Sequence, residues 1–264
     1  SLNAKGIILI DIGGSSFDHH KKSEQITATR LVAEYLGVAD DSALAKLLEF
    51  TERDDFYGKG TISPDPLDRA FGLPGLLAAL NRLYSDRPTY VTEITTPFIH
   101  AHYMDEHQRT NELPAEFNAK EKAGLVQTII IKQRDKNLKI ILIASDNLSM
   151  PGYLRSRNGG AYDVVVQQRL SGHINILTRP TKRVDLRKLA MQIRLAEAEY
   201  GNKTITTTEQ ELQKTGRIKH FPEWYFDPAT NSIQNGGANP KDVPPTKIPK
   251  EEWPRVIRLG LEFT

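Results

Sequence analysis

Cysteine is absent from this chain of 264 residues. Its absence excludes disulfides and thiolate metal sites, and leaves imidazole and carboxylate as the strong metal ligands. Long apolar runs are also missing. The longest are of strand length, far short of a membrane span. Charge of one sign is scarce as well: 35 Lys and Arg stand against 33 Asp and Glu, a formal net charge of +2. Such a balance does not by itself indicate nucleic acid, although it is compatible with a local basic cleft. No internal repeat, heptad or charged low-complexity tract occurs, and Ser1-Leu2-Asn3 shows no secretory signal. The expectation is an intracellular, cytoplasmic protein with no membrane partner and enough chain for two domains. Its oligomeric state is not legible.

The most informative stretch runs from Ile7 to His20. Ile7-Ile8-Leu9-Ile10 is continuously apolar, which suits a strand buried on both faces of a parallel sheet. It is closed by Asp11 and by Gly13-Gly14, so the carboxylate falls at a strand's carboxyl end, where open α/β sheets carry ligands. Asp18-His19-His20 comes next. Oxygen and imidazole donors in this concentration hold divalent ions of the manganese, iron or zinc type. The plainer alternative is a polar turn with exposed histidines.

Asp11 followed by Asp18-His19-His20 resembles the second and third motifs of the DHH phosphoesterase superfamily. Those proteins include exonucleases, family II inorganic pyrophosphatases and phosphodiesterases of short RNAs or cyclic dinucleotides. Ile10-Asp11-Ile12-Gly13-Gly14 before Phe17-Asp18-His19-His20 is most similar to the melanocyte-proliferating-gene-type exonuclease branch, where D-V-G-G precedes Y-D-H-H. The resemblance is specific over residues 6–36, extends to about Gly60, and beyond that is one of layout. It implies a metal-dependent catalytic set of Asp11, Asp18, His19 and His20. Asp11 and His19 are then metal ligands, His20 touches the substrate phosphate, and Asp18 orients an imidazole. The superfamily also places His and Asp ligands on an earlier strand. Only Ser1 to Lys5 precede this one, and they carry no such motif.

Thr27 to Leu36 has helical spacing, with Gly37 as its stop. A second helix is expected from an N-cap at Asp40 or Asp41 through Leu44, Leu47 and Leu48 into Glu52-Arg53-Asp54-Asp55. Carboxylates at a helix C-terminus oppose the dipole, and a cation beside them removes that penalty. The resemblance points to a ligand there, with Asp54 the better match and Asp55 the second; a solvated acidic end paired with Arg53 is the alternative. Residues 56–75 read as a Gly/Pro-rich loop. Gly58-Lys59-Gly60 lacks P-loop spacing. A helix over Leu73 to Tyr84 and another carrying His100, His102 and His107 come after it, separated by a Thr/Pro break. Those histidines lack the spacing of three or four that a helical metal pair requires, and are read as ordinary.

The resulting domains are 1–122, a parallel-sheet α/β metal domain lacking its opening motif, and 123–264, a smaller mixed α/β domain that holds substrate across a cleft. Strands are expected at 128–131, 139–144, 164–166 and 174–177, and a helix at 185–200 with Leu186, Leu189, Ile193, Ala196 and Tyr200 buried. The substrate candidates are Arg155, Arg157, Gly159 and Gly160, with Arg169 and His173 further on. Arginines suit bidentate phosphate recognition and glycines admit close backbone approach; the alternative is a turn with solvated arginines. The superfamily's G-G-G-H signature is echoed only by Gly159-Gly160 and Gly172-His173. The expected activity is metal-dependent phosphodiester hydrolysis on RNA or single-stranded DNA, with Mn²⁺ as cofactor and Mg²⁺ or Zn²⁺ as other ions. A non-catalytic nucleic-acid or nucleotide binder is the alternative, and a small-molecule phosphatase or pyrophosphatase a lesser one.

Overall fold

The structure, a computed structural model, describes residues 6–20, 25–58, 60, 62–237 and 242–263. The chain is mixed α/β and divides into two compact units, Ser1–Glu112 and Leu113–Thr264. The division falls before the boundary expected after residue 122, and the second unit is the larger one. The reason is local. A π-helical turn, Gln108–Glu112, leads without a break into helix α6, Leu113–Lys122. Leu113 and Phe117 of α6 pack with Ile141, Met150 and Val165 of the second unit.

Helices dominate the first unit: α1 (Ala28–Tyr35), α2 (Ala45–Tyr57), α3 (Pro66–Phe71), α4 (Leu73–Leu83) and α5 (Pro88–His107). Thr27 caps α1 by accepting from the Arg30 N–H at 3.1 Å. The turn into α2 is set by Asp41, whose carboxylate accepts from the Ala43 N–H at 2.9 Å. Left-handed Gly58 ends α2, its N–H returning to Arg53 and Asp54. Arg30 grips Glu52 at 2.8 Å and Lys46 grips buried Glu106 at 2.8 Å, tying α1 to α2 and α2 to α5. Helix α5 runs through Pro97, where Thr95 and Thr96 hydroxyls bond back to Val91 and Thr92 carbonyls at 2.8 Å. Among the described residues this unit has no regular strand. The expected strand over Ile7–Ile10 is extended chain with one parallel bridge, Ile10 to Phe17. With no neighbouring ladder, Ile7, Ile8 and Ile10 are exposed.

The second unit is built on one sheet: β1 (Val126–Gln133), β2 (Lys136–Ala144), β3 (Val164–Gln168), β4 (Ile174–Thr178), β5 (Gly216–Ile218), β6 (Phe221–Asp227) and β7 (Ser232–Asn235), in the order β1-β2-β3-β4-β7-β6-β5. Only β2 and β3 are parallel, joined through helix α7 (Met150–Arg155). The other neighbours are antiparallel; consecutive ones are joined by short connections, whereas β7 returns beside β4 after helix α8 (Arg187–Tyr200), β5 and β6. Residues of β2 alternate between two cores. Ile140 and Leu142 join Leu189, Ile193, Trp253 and Ile257 of α8 and α9 (Trp253–Leu261), whereas Ile141 and Ile143 face α6 and α7. Covering on both faces is why this strand is continuously apolar. Trp224-Tyr225-Phe226 lies within β6, and Trp224 stacks near Trp253 with ring centroids 5.8 Å apart. Trp224 donates to buried Glu197 at 2.9 Å. Among the described residues no helix is long and apolar enough to cross a membrane.

Candidate metal centre

The segment Leu9 to His20 is a loop held by its own backbone. Asp11 donates its N–H to the Phe17 carbonyl at 3.1 Å, and the Ser15 hydroxyl donates to the Leu9 carbonyl at 2.7 Å. The reversal needs positive φ at three positions, 62° at Asp11, 72° at Gly13 and 67° at Gly14. Glycine takes that region freely, and aspartate is among the few other residues that tolerate it. Asp18 closes the loop. Its buried carboxylate accepts from the Gly14 N–H at 2.6 Å and the His20 N–H at 3.0 Å. These two amides, Gly14 foremost, hold the Asp18 carboxyl below its ordinary value. Asp18 thus positions the backbone beneath His20; it does not bond to an imidazole.

This folding brings three donors together. His19 Nδ1 lies 3.0 Å from Asp11 Oδ1, and His20 Nε2 lies 3.6 Å from the same oxygen. Asp11, His19 and His20 each offer a ligand atom, all within 4.8 Å of one another. A fourth group arrives from the C-terminal turn of α2, where Asp55 Oδ2 is 3.2 Å from His19 Nε2. The side chain of His19 is 13% exposed, set between two carboxylates, while that of His20 is 62% exposed.

The donor set fits a divalent ion. Despite the 3.0 Å approach to Asp11, His19 Nδ1 is a buried atom without a hydrogen-bond partner. The two atoms are close but not aligned to share a proton. Donors about 2.1 Å from a common ion stand about 3.0 Å apart at right angles and about 3.4 Å apart at tetrahedral angles. The separations of 3.0 and 3.6 Å are of that size. Imidazole nitrogen with carboxylate oxygen suits manganese, iron or zinc, and the negative end of α2 at Asp55 favours a cation.

Asp54 is placed elsewhere. Its Oδ1 accepts from the Gly60 N–H at 3.1 Å, while Arg53 donates to the Gly60 carbonyl at 3.3 Å. A side chain at Gly60 would collide with Pro74 and with Asp54 itself. Of the two expected carboxylates, it is Asp55 that comes to His19. Lys59 lies outside the described residues. His107 faces Glu112 at 3.4 Å, while His100 and His102 are exposed on α5.

The candidate substrate residues of the second unit are occupied by its fold. Arg155 donates to the Pro151 carbonyl at 3.1 Å and the Thr178 carbonyl at 2.7 Å, and burial lowers its guanidinium pKa. A side chain at Gly159 would strike the Tyr153 carbonyl, so this glycine serves packing. Gly160, at φ 98°, accepts from Lys139 at 3.1 Å. Both ring nitrogens of buried His173 are engaged, one by the Ser171 hydroxyl at 2.9 Å and the other by the Val243 carbonyl at 2.8 Å. Arg169 lies 3.7 Å from Asp146. Arg157, alone of the expected set, is exposed with no side-chain partner among the described residues. Sequence reading did not single out Arg183, which lines a cavity near Arg155. Its signal is a left-handed backbone, which the residue type does not announce.

Comparison with protein-family models, with curated proteins and with solved structures finds no match for the chain.

Proposed function

We propose that this protein is a divalent-metal-dependent phosphoester hydrolase of the DHH type, acting on RNA or single-stranded DNA with Mn²⁺ as the preferred ion. The observation that carries the reading is the convergence of Asp11, His19 and His20, with His19 Nδ1 buried and unpartnered. Asp11 and, through Nδ1, His19 would hold the ion, while Asp55 from α2, at His19 Nε2, would orient that ring. When bound, a divalent ion generates hydroxide at neutral pH and offsets charge on a transferring phosphoryl group. His20, open to solvent beside Asp11, donates to a substrate phosphate oxygen. Asp18 fixes the loop so that the two imidazoles keep their spacing, as carboxylates behind metal ligands do.

A second reading, a non-catalytic nucleic-acid or nucleotide binder, is favoured by one observation. Among the described residues there is a single donor cluster, enough for one ion rather than a pair. The test is hydrolysis of a bis-aryl phosphodiester and of a short oligoribonucleotide by the purified protein with Mn²⁺. The enzyme reading expects turnover that falls at least tenfold in both His19→Ala and His20→Ala. Metal binding without turnover selects the second reading, and turnover unaffected by either change rejects the site.

A further inference from the structure

The net charge of the chain is close to zero, yet one end of the sheet in the second unit gathers six cations against four carboxylates. The strand registers locate that end. Strands β2 and β3 run parallel, so both begin there, at Lys136 and Val164. Antiparallel β4 ends there at Thr178, and β7 begins there opposite it, with Leu177 beside Ser232. Lys136, Lys139, Arg157, Arg179, Lys182 and Arg183 all belong to these ends and the turns joining them. Most nearby carboxylates are committed. Asp163 is buried and accepts from the Lys139 N–H at 3.0 Å, with Lys182 at 3.6 Å. Asp185 is taken by Arg187 at 2.7 Å, and Asp227 by the Ala229 N–H and the Thr230 hydroxyl of its own turn. Asp135, in the β1–β2 turn, remains exposed.

A cavity of about 720 Å³ opens at this same end, lined by Arg155, Arg183, Thr230, Asn231, Ser232 and Gln234. Its size is within the range of small-molecule sites. Arg183 is its distinctive member. The residue sits at φ 46°, ψ 58°, a left-handed conformation that is uncommon outside glycine and clusters at functional sites. Its guanidinium makes no hydrogen bond or ion pair among the described residues. An exposed, uncommitted guanidinium is a ready bidentate partner for a phosphate. Pro180 and Pro228 add apolar surface to the wall, against which a base can lie.

We infer that this cavity is a binding site for single-stranded nucleic acid, taking one nucleotide with its phosphate on Arg183 and an adjoining phosphate on Arg157. A single strand fits better than a duplex, because a recessed polar cavity accepts a base only when it is splayed from the stack. The site goes beyond the proposed metal centre and needs none of its residues.

The test is fluorescence anisotropy of a labelled oligothymidylate with the full chain in EDTA, over a range of salt. Removing metal keeps a failure of the hydrolase reading separate from a failure here. Arg183→Gln removes a guanidinium that makes no hydrogen bond or ion pair among the described residues, so the variant keeps its circular dichroism spectrum. It is expected to weaken binding about tenfold and to flatten the salt slope by about 0.7. Arg157→Gln, on another turn, is expected to flatten it similarly. Lys250→Gln, an exposed cation elsewhere in this unit, leaves both unchanged. Unaltered affinity and slope in Arg183→Gln overturn the site, and equal losses in Lys250→Gln reduce it to undirected charge. Duplex of the same length bound as tightly, or anionic phosphatidylserine vesicles bound with the same Arg183 dependence, also contradict it.

Discussion

The tetrapeptide Ile-Ile-Leu-Ile occurs twice in this chain, at residues 7–10 and 140–143, and the two copies have opposite fates. Ile140, Ile141, Leu142 and Ile143 are no more than 5% exposed, whereas Ile7, Ile8 and Ile10 are 46%, 65% and 52% exposed. The difference lies in the neighbours. The second copy is flanked by β1 and β3 and covered on both faces by helices, while the first has only the single bridge from Ile10 to Phe17. An apolar run expresses a capacity for burial, and the surrounding chain decides whether that capacity is used. The two copies also lead to different chemistry. The buried copy runs into Ser145, Asp146 and Asn147; the Ser145 and Asn147 side chains set the turn into α7, and Asp146 accepts from the Leu170 N–H. The exposed copy runs into Asp11 and the donor cluster.

The widest separation between the copies is in stability. Ile141→Ala opens a hole between α6 and α7 and is expected to cost about 2–5 kcal/mol, read as an earlier urea transition of the second unit. Ile8→Ala should stay within about 0.5 kcal/mol, as surface changes do. Comparable losses at both positions would mean that residues 7–10 are buried in solution, and the contrast would fail.

A smaller effect sharpens the comparison at the site itself, because Asp54 and Asp55 are adjacent but serve different partners. Asp55→Asn should weaken Mn²⁺ binding about tenfold, equivalent to about 1.4 kcal/mol, by removing a negative charge beside His19. Asp54→Asn loses part of the clamp on the Gly60 amide, at about 1 kcal/mol of local stability, with Mn²⁺ affinity retained. The measurement is calorimetric titration of both variants. The reverse order of effects would return the ligand role to Asp54.

Much of the second unit was legible because its strands and α8 carry their periodicity in full. Leu189, Ile193 and Ala196 are buried where helical spacing placed them, and each expected strand is found within a few residues. The sense of the sheet was not legible. It depends on whether connections are turns or longer excursions: α7 links parallel β2 and β3, and the chain leaves β4 through α8 before β7 returns beside it. At the candidate site, Asp11, His19 and His20 stood out as residue types close in sequence, and the loop brings them together. The choice between Asp54 and Asp55 turned on the path of the chain just beyond α2: Gly60 captures Asp54 and leaves Asp55 for His19. Arg155 and His173 had the chemistry of phosphate ligands but are consumed by backbone carbonyls and a hydroxyl, a use of polar groups that residue type alone does not reveal.

The claim at the centre is that Asp11 and His19 hold a divalent ion, with His20 beside it. Calorimetric titration of Mn²⁺ into the full chain and into His19→Ala, with circular dichroism confirming that both are folded, tests it most directly. One ion per chain in the wild type, with affinity reduced at least about tenfold in His19→Ala, is the predicted result. Equal Mn²⁺ affinity in the two folded proteins, or no binding by the wild type, would contradict it and leave His19 as an imidazole paired with two carboxylates.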